Sequence, residues 1–173
     1  MLEFVTEGLV LDKESRKESD IVVTIYTKKL GLIFGNAASA RKIASKLGPH
    51  LEPLNLVRLR LVKKKRFQIA DALAIGRIER SSETLGMVRF IKEFFATEHA
   101  ETSIWNLIIE SVAGNRDALH PRVVLNVLGF NPDHALCSIC NTTWPEYFTT
   151  HGHYFCESCK TQNGVHGFCL RVA

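Results

Sequence analysis

All five cysteines fall in the last 37 residues of a 173-residue chain. Four of them form two Cys-x2-Cys pairs, Cys137/Cys140 and Cys156/Cys159, with fifteen residues between the pairs. Two residues between ligands let both sulfurs of one tight turn point at a single ion. Two such turns supply the four thiolates of a tetrahedral zinc site. Four sulfurs leave no coordination position for water, so a zinc ion held this way is structural rather than catalytic. The same donors suit an iron–sulfur cluster, and cysteines that have lost their metal are the third reading. Asn141 follows the first pair, and asparagine tolerates the left-handed conformation such a turn often requires. Residues 147–155 read as a hairpin bent near His151-Gly152, so that two cysteine turns and a hairpin make a zinc ribbon. His151 and His153 fall at its tip, exposed rather than ligating. Cys169 has no paired neighbour and reads as a spare thiol.

The second group with chemical potential is cationic. The formal net charge is +4, but residues 1–80 hold 16 Lys+Arg against 9 Asp+Glu, and residues 81–173 hold 6 against 9. A basic first half on a mildly acidic second half suggests a polyanion-binding module on a more neutral platform; a solvated basic face is the bland alternative. Lys63, Lys64, Lys65 and Arg66 are four consecutive cations followed by Phe67. A second basic stretch, residues 40–49, carries Arg41, Lys42 and Lys46 and ends on Gly48-Pro49. Lys and Arg neutralise phosphates whatever the base sequence, and an aromatic ring can stack a base. The competing reading of residues 63–67 is a solubilising hairpin tip with Phe67 turned inward.

These groups must be positioned by β-structure. Residues 5–11, 21–27, 32–35, 54–63 and 68–78 read as strands, with Lys28-Lys29-Leu30-Gly31 as the turn after the second. In the fourth, Val57, Leu59 and Leu61 alternate with Arg58 and Arg60, which puts aliphatics on one face and guanidinium groups on the other. Five short strands in about 80 residues without a convincing helix fit a small Greek-key barrel or sandwich. An OB-fold is the obvious candidate, although strand count alone does not separate it from an SH3-like barrel. The basic tip and loop flank the face that OB-folds use for single strands.

The middle of the chain is helical. Ser81-Ser82-Glu83 is a start signal. Leu85, Val88, Ile91 and Phe95 form a stripe widened by Met87, Phe90 and Phe94. A second helix runs from about Glu101 to Gly114, and a third from Pro121 to Gly129. Phe90, Phe94, Phe95 and Trp105 are expected in the core. The predicted architecture is α+β: an OB-fold nucleic-acid-binding domain over residues 1–80, then a helical domain over 81–173 carrying the ribbon at about 137–159. No apolar run approaches the ~18 residues of a membrane helix. The N-terminus lacks a basic stretch followed by an apolar core. A cytosolic, soluble protein is expected.

Several short motifs resemble one family. Thr6-Glu7-Gly8-Leu9-Val10-Leu11, Glu18-Ser19-Asp20-Ile21-Val22, Thr27, Gly31, Ala40-Arg41, Leu47-Gly48 and Pro53 look like the N-terminal barrel of the RecO recombination-repair proteins. Leu128-Gly129-Phe130-Asn131-Pro132 leading into Cys137-x2-Cys140 is similar to that family's helix-to-zinc junction. The resemblance implies a non-enzymatic DNA-repair mediator. Such a protein binds single- and double-stranded DNA and anneals complementary strands. It works with RecR and with the C-terminal tail of single-stranded DNA-binding protein to load the recombinase. By position, the DNA-contact candidates are the barrel's basic residues, Lys28 and Lys29, Arg58 and Arg60, and the loop and tip cations with Phe67. The zinc ligands are the four paired cysteines. A bacterial, nucleoid-associated location is implied as well. Family members usually continue for several helices beyond the ribbon, whereas this chain has fourteen residues after Cys159, so a shortened helical domain is expected.

Two other functions fit the composition. One is an RNA-binding barrel-plus-ribbon protein of translation or transcription, from which only the RecO-like motifs separate it. The other is a metal-dependent nuclease or phosphotransferase, which needs Asp or His beside an open metal site. The histidines between the cysteine pairs, His151 and His153, read as exposed rather than ligating, and the sequence has no P-loop, no H-E-x-x-H and no clustered carboxylates of the two-metal kind.

Overall fold

The computed structural model describes residues 2–16, 18–42 and 45–172. Five strands, β1 (Leu2–Arg16), β2 (Asp20–Thr27), β3 (Gly31–Ala37), β4 (Asn55–Lys63) and β5 (Phe67–Arg77), close into a barrel in the order β1-β2-β3-β5-β4. β1 closes it because its length lets it pair twice. Residues 2–9 run antiparallel to β4, and residues 8–16 run antiparallel to β2 across a bulge between Val10 and Asp12. A short parallel contact, Gly35 to Phe67 and Asn36 to Gln68, joins β3 to β5. This mixed, OB-like sheet holds all five expected strands, and among the described residues a 3-10 turn, Gly48–Leu51, is the one helical element between them.

Strand alternation builds two cores. Val10, Ile25, Ile33, Val57, Leu59 and Leu61 point into the barrel. Leu9, Leu11, Tyr26, Leu32, Leu54 and Leu56 point outward and are buried beneath helices α1 (Ser82–Phe94), α2 (Thr102–Val112) and α3 (Pro121–Val127). The start of α1 follows its sequence signal. Ser81 Oγ accepts from Thr84 N–H at 3.1 Å and Thr84 Oγ1 accepts from Ser81 N–H at 2.8 Å, a reciprocal cap with Glu83 favourably placed in the first turn. Phe90 and Trp105 are buried as expected, and Phe94 and Phe95 pack half-buried against the same core. Leu85 departs from the expected stripe. It is exposed, because Met87, Val88, Phe90 and Ile91 make the buried face of α1.

Two contacts sew the helical layer to the barrel. Glu101 N–H donates to the Tyr26 hydroxyl at 2.9 Å, and Glu98 N–H donates to Leu32 O at 2.8 Å. At Gly31, φ is +64°, and an added Cβ would stand 1.9 Å from His99 O, so only glycine lets the two segments meet.

The last third is a three-stranded sheet, β6 (Tyr147–Thr149), β7 (Tyr154–Phe155) and β8 (Cys169–Arg171), in the order β7-β6-β8, with α4 (Glu157–Gln162) between β7 and β8. β6 and β7 form the expected hairpin, turning through Gly152 at φ +84°. β8 has no clear sequence signal, being three residues long. It pairs with β6 and carries Leu170 and Val172 into the core shared with Phe148, Tyr154 and the helices. No helix among the described residues is long and apolar enough to cross a membrane.

Candidate metal centre and nucleic-acid interface

The four paired cysteines converge. The Sγ atoms of Cys137, Cys140, Cys156 and Cys159 lie within 4.8 Å of one another. Backbone turns aim them. Asn141 N–H donates to Cys137 O at 2.9 Å and Cys137 N–H donates to Thr142 O at 2.9 Å, folding the first pair into a tight knuckle. Asn141 takes φ +57°, the left-handed conformation its side chain tolerates. Cys156 caps α4, with its sulfur accepting from Cys159 N–H at 3.4 Å, so the second pair straddles a helix start.

The donor set fits a tetrahedral metal ion. Sulfurs 2.3 Å from a central zinc stand ~3.8 Å apart, and Cys140 Sγ lies 3.7 Å from Cys156 Sγ. The electrostatics agree. Burial opposes ionisation of Cys137, but N–H donors of Cys140, Cys156 and Ile139 outweigh it and bring the thiol down to about 6. Hydrogen bonds from Thr142 lower Cys140 as well. Cys159 is pushed up to about 12, first by its sulfur contact with Cys140 and then by burial. Two thiols held in favour of ionisation beside one that resists it are a donor set that could hold a metal cation. His151 and His153 are exposed and outside the cluster, and Cys169 lies on β8 away from it.

The predicted cations divide into five settings. Lys64, Lys65 and Arg66 are exposed at the β4–β5 tip with no ion-pair partner among the described residues. Lys63, at the base of the tip, pairs with Glu98, and its Nζ lies 4.8 Å from the Phe67 ring centroid. Arg58 and Arg60 lie on the outer face of β4, where Glu7 and Glu3 of the neighbouring β1 pair with them at 3.4 and 3.1 Å. Lys28 and Lys29 are exposed at the β2–β3 turn, and Lys29 Nζ donates to Val5 O at 2.9 Å. Arg41 and Lys42 line a cleft of about 640 Å³ beside Lys13, Glu14 and Glu52, and Lys46 is exposed nearby in sequence. Ile43 and Ala44 of that basic stretch lie outside the described residues.

One candidate is corrected. Phe67 is not a stacking platform: it is 5% exposed and packs inside the barrel, 6.1 Å from Phe4 ring to ring. As the first residue of β5 its side chain takes the inward phase of the strand, with Ile69 next on the same face. The exposed aromatic beside the basic tip is instead Phe34 of β3, which shares a groove with Lys65 and Arg66. Sequence alone offered a signal for it: Phe34 follows the buried Ile33 and precedes Gly35, so strand alternation turns it outward.

Residues 1–73 match the family described as Recombination protein O N terminal. The chain is 24% identical to the DNA repair protein RecO of Thermodesulfovibrio yellowstonii, over 92% of its own length and 71% of that protein. It is 27% identical to the DNA repair protein RecO of a Dehalococcoides mccartyi strain, over 94% of its own length and 73% of the relative. A shorter stretch, 35% of this chain and 25% of the relative, is 37% identical to the RecO protein of Geobacter metallireducens. The resemblance to the RecO family therefore holds over most of the chain: the barrel carries that family's N-terminal signature, and the similarity to DNA repair proteins RecO runs on through the helices and the cysteine ribbon.

Proposed function

We propose that this protein is a DNA-repair and recombination mediator that binds single- and double-stranded DNA, anneals complementary strands and performs no chemistry on them. Its partners in this reading are RecR and the C-terminal tail of single-stranded DNA-binding protein. The observation that carries it is the cation group Lys64, Lys65 and Arg66, without an ion-pair partner among the described residues, at the rim of an OB-like barrel whose sequence resembles RecO. Annealing requires two polyanions to approach, and fixed cations lower their mutual repulsion. The barrel supplies that surface, and the helical layer keeps it in one orientation. In this reading the barrel (residues 1–80) and the helical-plus-ribbon part (81–173) are separate functional units on one shared core.

The four cysteines hold zinc in this proposal. Zinc supplies no reactive position when closed by four thiolates; it fixes the fold of the ribbon. Its loading has a pH signature. An ordinary thiol has a pKa near 8.5 and is mostly protonated at pH 7. Cys137, at about 6, is already ionised there. Zinc uptake at pH 7 is therefore expected to release fewer than four protons per ion, measured by titration calorimetry in buffers of different ionisation enthalpy. Release of all four would show Cys137 to be an ordinary thiol.

The binding test follows from the charge geometry. Changing Lys64, Lys65 and Arg66 together to Ala is expected to weaken binding to a single strand roughly 10- to 100-fold at low salt. It should also reduce the slope of log affinity against log salt by about 2. An unchanged slope would remove this tip from the interface. Acceleration of strand annealing without ATP, and co-purification with RecR and single-stranded DNA-binding protein, test the rest. A preference for RNA over DNA of the same sequence would favour a translation or transcription role.

A further inference from the structure

The outer face of β2 and β3 is half covered and half open. Three cross-strand pairs follow one another along it: Tyr26/Leu32, Thr24/Phe34 and Val22/Asn36. Directly opposed residues of antiparallel strands share a face. The first pair lies under the segment between α1 and α2, where Glu98 N–H reaches Leu32 O and Glu101 meets the Tyr26 hydroxyl. Cover stops there. Phe34 stands 48% exposed, the one exposed ring among ten phenylalanines.

A single exposed apolar residue is ordinary; what surrounds this one is not. Phe34, Val22 and Asn36 line a groove of about 370 Å³ with Lys65 and Arg66, and Thr97 and Glu98 are at its covered end. Glu98 is already matched by Lys63, which leaves Lys65 and Arg66 as the uncompensated charges of the groove. Asn36 also lines a smaller hollow with Arg16, Asp20 and Gln68, so polar groups of both signs continue from the groove along β3, with Arg16 Nη1 held to Asn36 Oδ1 at 3.2 Å. A π-face, an amide and two unpaired cations within one groove match a base joined to its phosphates. A duplex keeps its bases stacked on one another and has no free base face to offer, whereas a single strand does.

We infer that the Phe34 groove is a base-stacking subsite that makes the barrel select single-stranded over double-stranded DNA. The inference rests on the DNA-binding reading above and adds the residue that distinguishes the two forms. Lys65 and Arg66 attract either form through its phosphates, and Phe34 adds affinity only for a strand whose bases are free.

The test uses the full chain loaded with zinc, a labelled oligo-dT strand and a blunt duplex of equal length. Phe34→Ala is expected to weaken the strand complex roughly 5- to 100-fold. Duplex affinity should stay within about twofold, because phosphate contacts are untouched. Phe34→Trp keeps a stacking face and should restore strand binding. Because Phe34 is on the surface, both variants should fold, and unchanged circular dichroism checks that. Equal losses on strand and duplex, or no loss on the strand while the unmodified protein binds it, would overturn the subsite. If the unmodified protein binds neither DNA, the DNA-binding reading itself fails and the subsite with it.

Discussion

Cys137→Ser is expected to empty the ribbon of metal and unfold the last third of the chain, at a cost of several kcal/mol. Cys137 is the fully buried member of the cluster and the one whose thiolate the backbone stabilises most. A serine hydroxyl does not ionise at neutral pH, and three sulfurs do not close a tetrahedral zinc site. Apparent binding energies of structural zinc run at ~10–16 kcal/mol, comparable to the whole stability of a typical domain. Phe148, Tyr154 and Leu170 project from the ribbon into the core shared with the helices, so amide exchange in α1–α3 should accelerate as well. The barrel has its own interior core of Val10, Ile25, Ile33, Val57 and Leu59 and should keep its strand signal. Elemental analysis finding a full equivalent of zinc in the variant would refute the ligand assignment.

Gly31→Ala is expected to be the most damaging single methyl in the barrel. Two penalties combine there. A non-glycine residue at φ +64° costs about 1–2 kcal/mol, and the new Cβ would stand 1.9 Å from His99 O and 2.7 Å from Ala100 N. Those are backbone atoms, so the whole segment over Leu32 must move, taking the Glu98–Leu32 and Glu101–Tyr26 bonds with it. A loss of about 3–5 kcal/mol is expected. Gly114→Ala separates the two terms. Its φ is +102°, yet nothing lies within 4 Å of its added Cβ, so it carries strain alone. Denaturant unfolding of both should show Gly31→Ala markedly worse; equal losses would mean that the barrel and helices are not tightly joined at this point.

Most of the framework was legible because the sequence pattern and the local geometry agree. Val57, Leu59 and Leu61 alternate and point inward, Ser81 caps α1, and the cysteine spacing brings four sulfurs to one point. What escaped depends on contacts distant in sequence. Phe67 looked like the tip's aromatic because it adjoins four cations, but a strand's first residue takes its face from the barrel rather than from its neighbours. The alternation around Arg58 and Arg60 put them on the outer face but left open what else lies there, and only the pairing with β1 brings Glu3 and Glu7 alongside. Leu85 fits a helical stripe by spacing, yet the neighbouring elements meet α1 on the face of Met87 and Ile91. β8 is too short to carry a period, and only the prior existence of β6 gives it a partner.

That alternation of Glu3, Glu7, Arg58 and Arg60 makes the molecule sided. A phosphate backbone drifting toward this flank meets as much negative charge as positive and gains nothing by staying. The unmatched lysines and arginine of the tip give it a reason to arrive elsewhere. For the polynucleotide binding proposed above, this sidedness favours approach to the tip over approach to the balanced flank. The balanced flank, its charges already matched in pairs, offers that proposed ligand no comparable attraction.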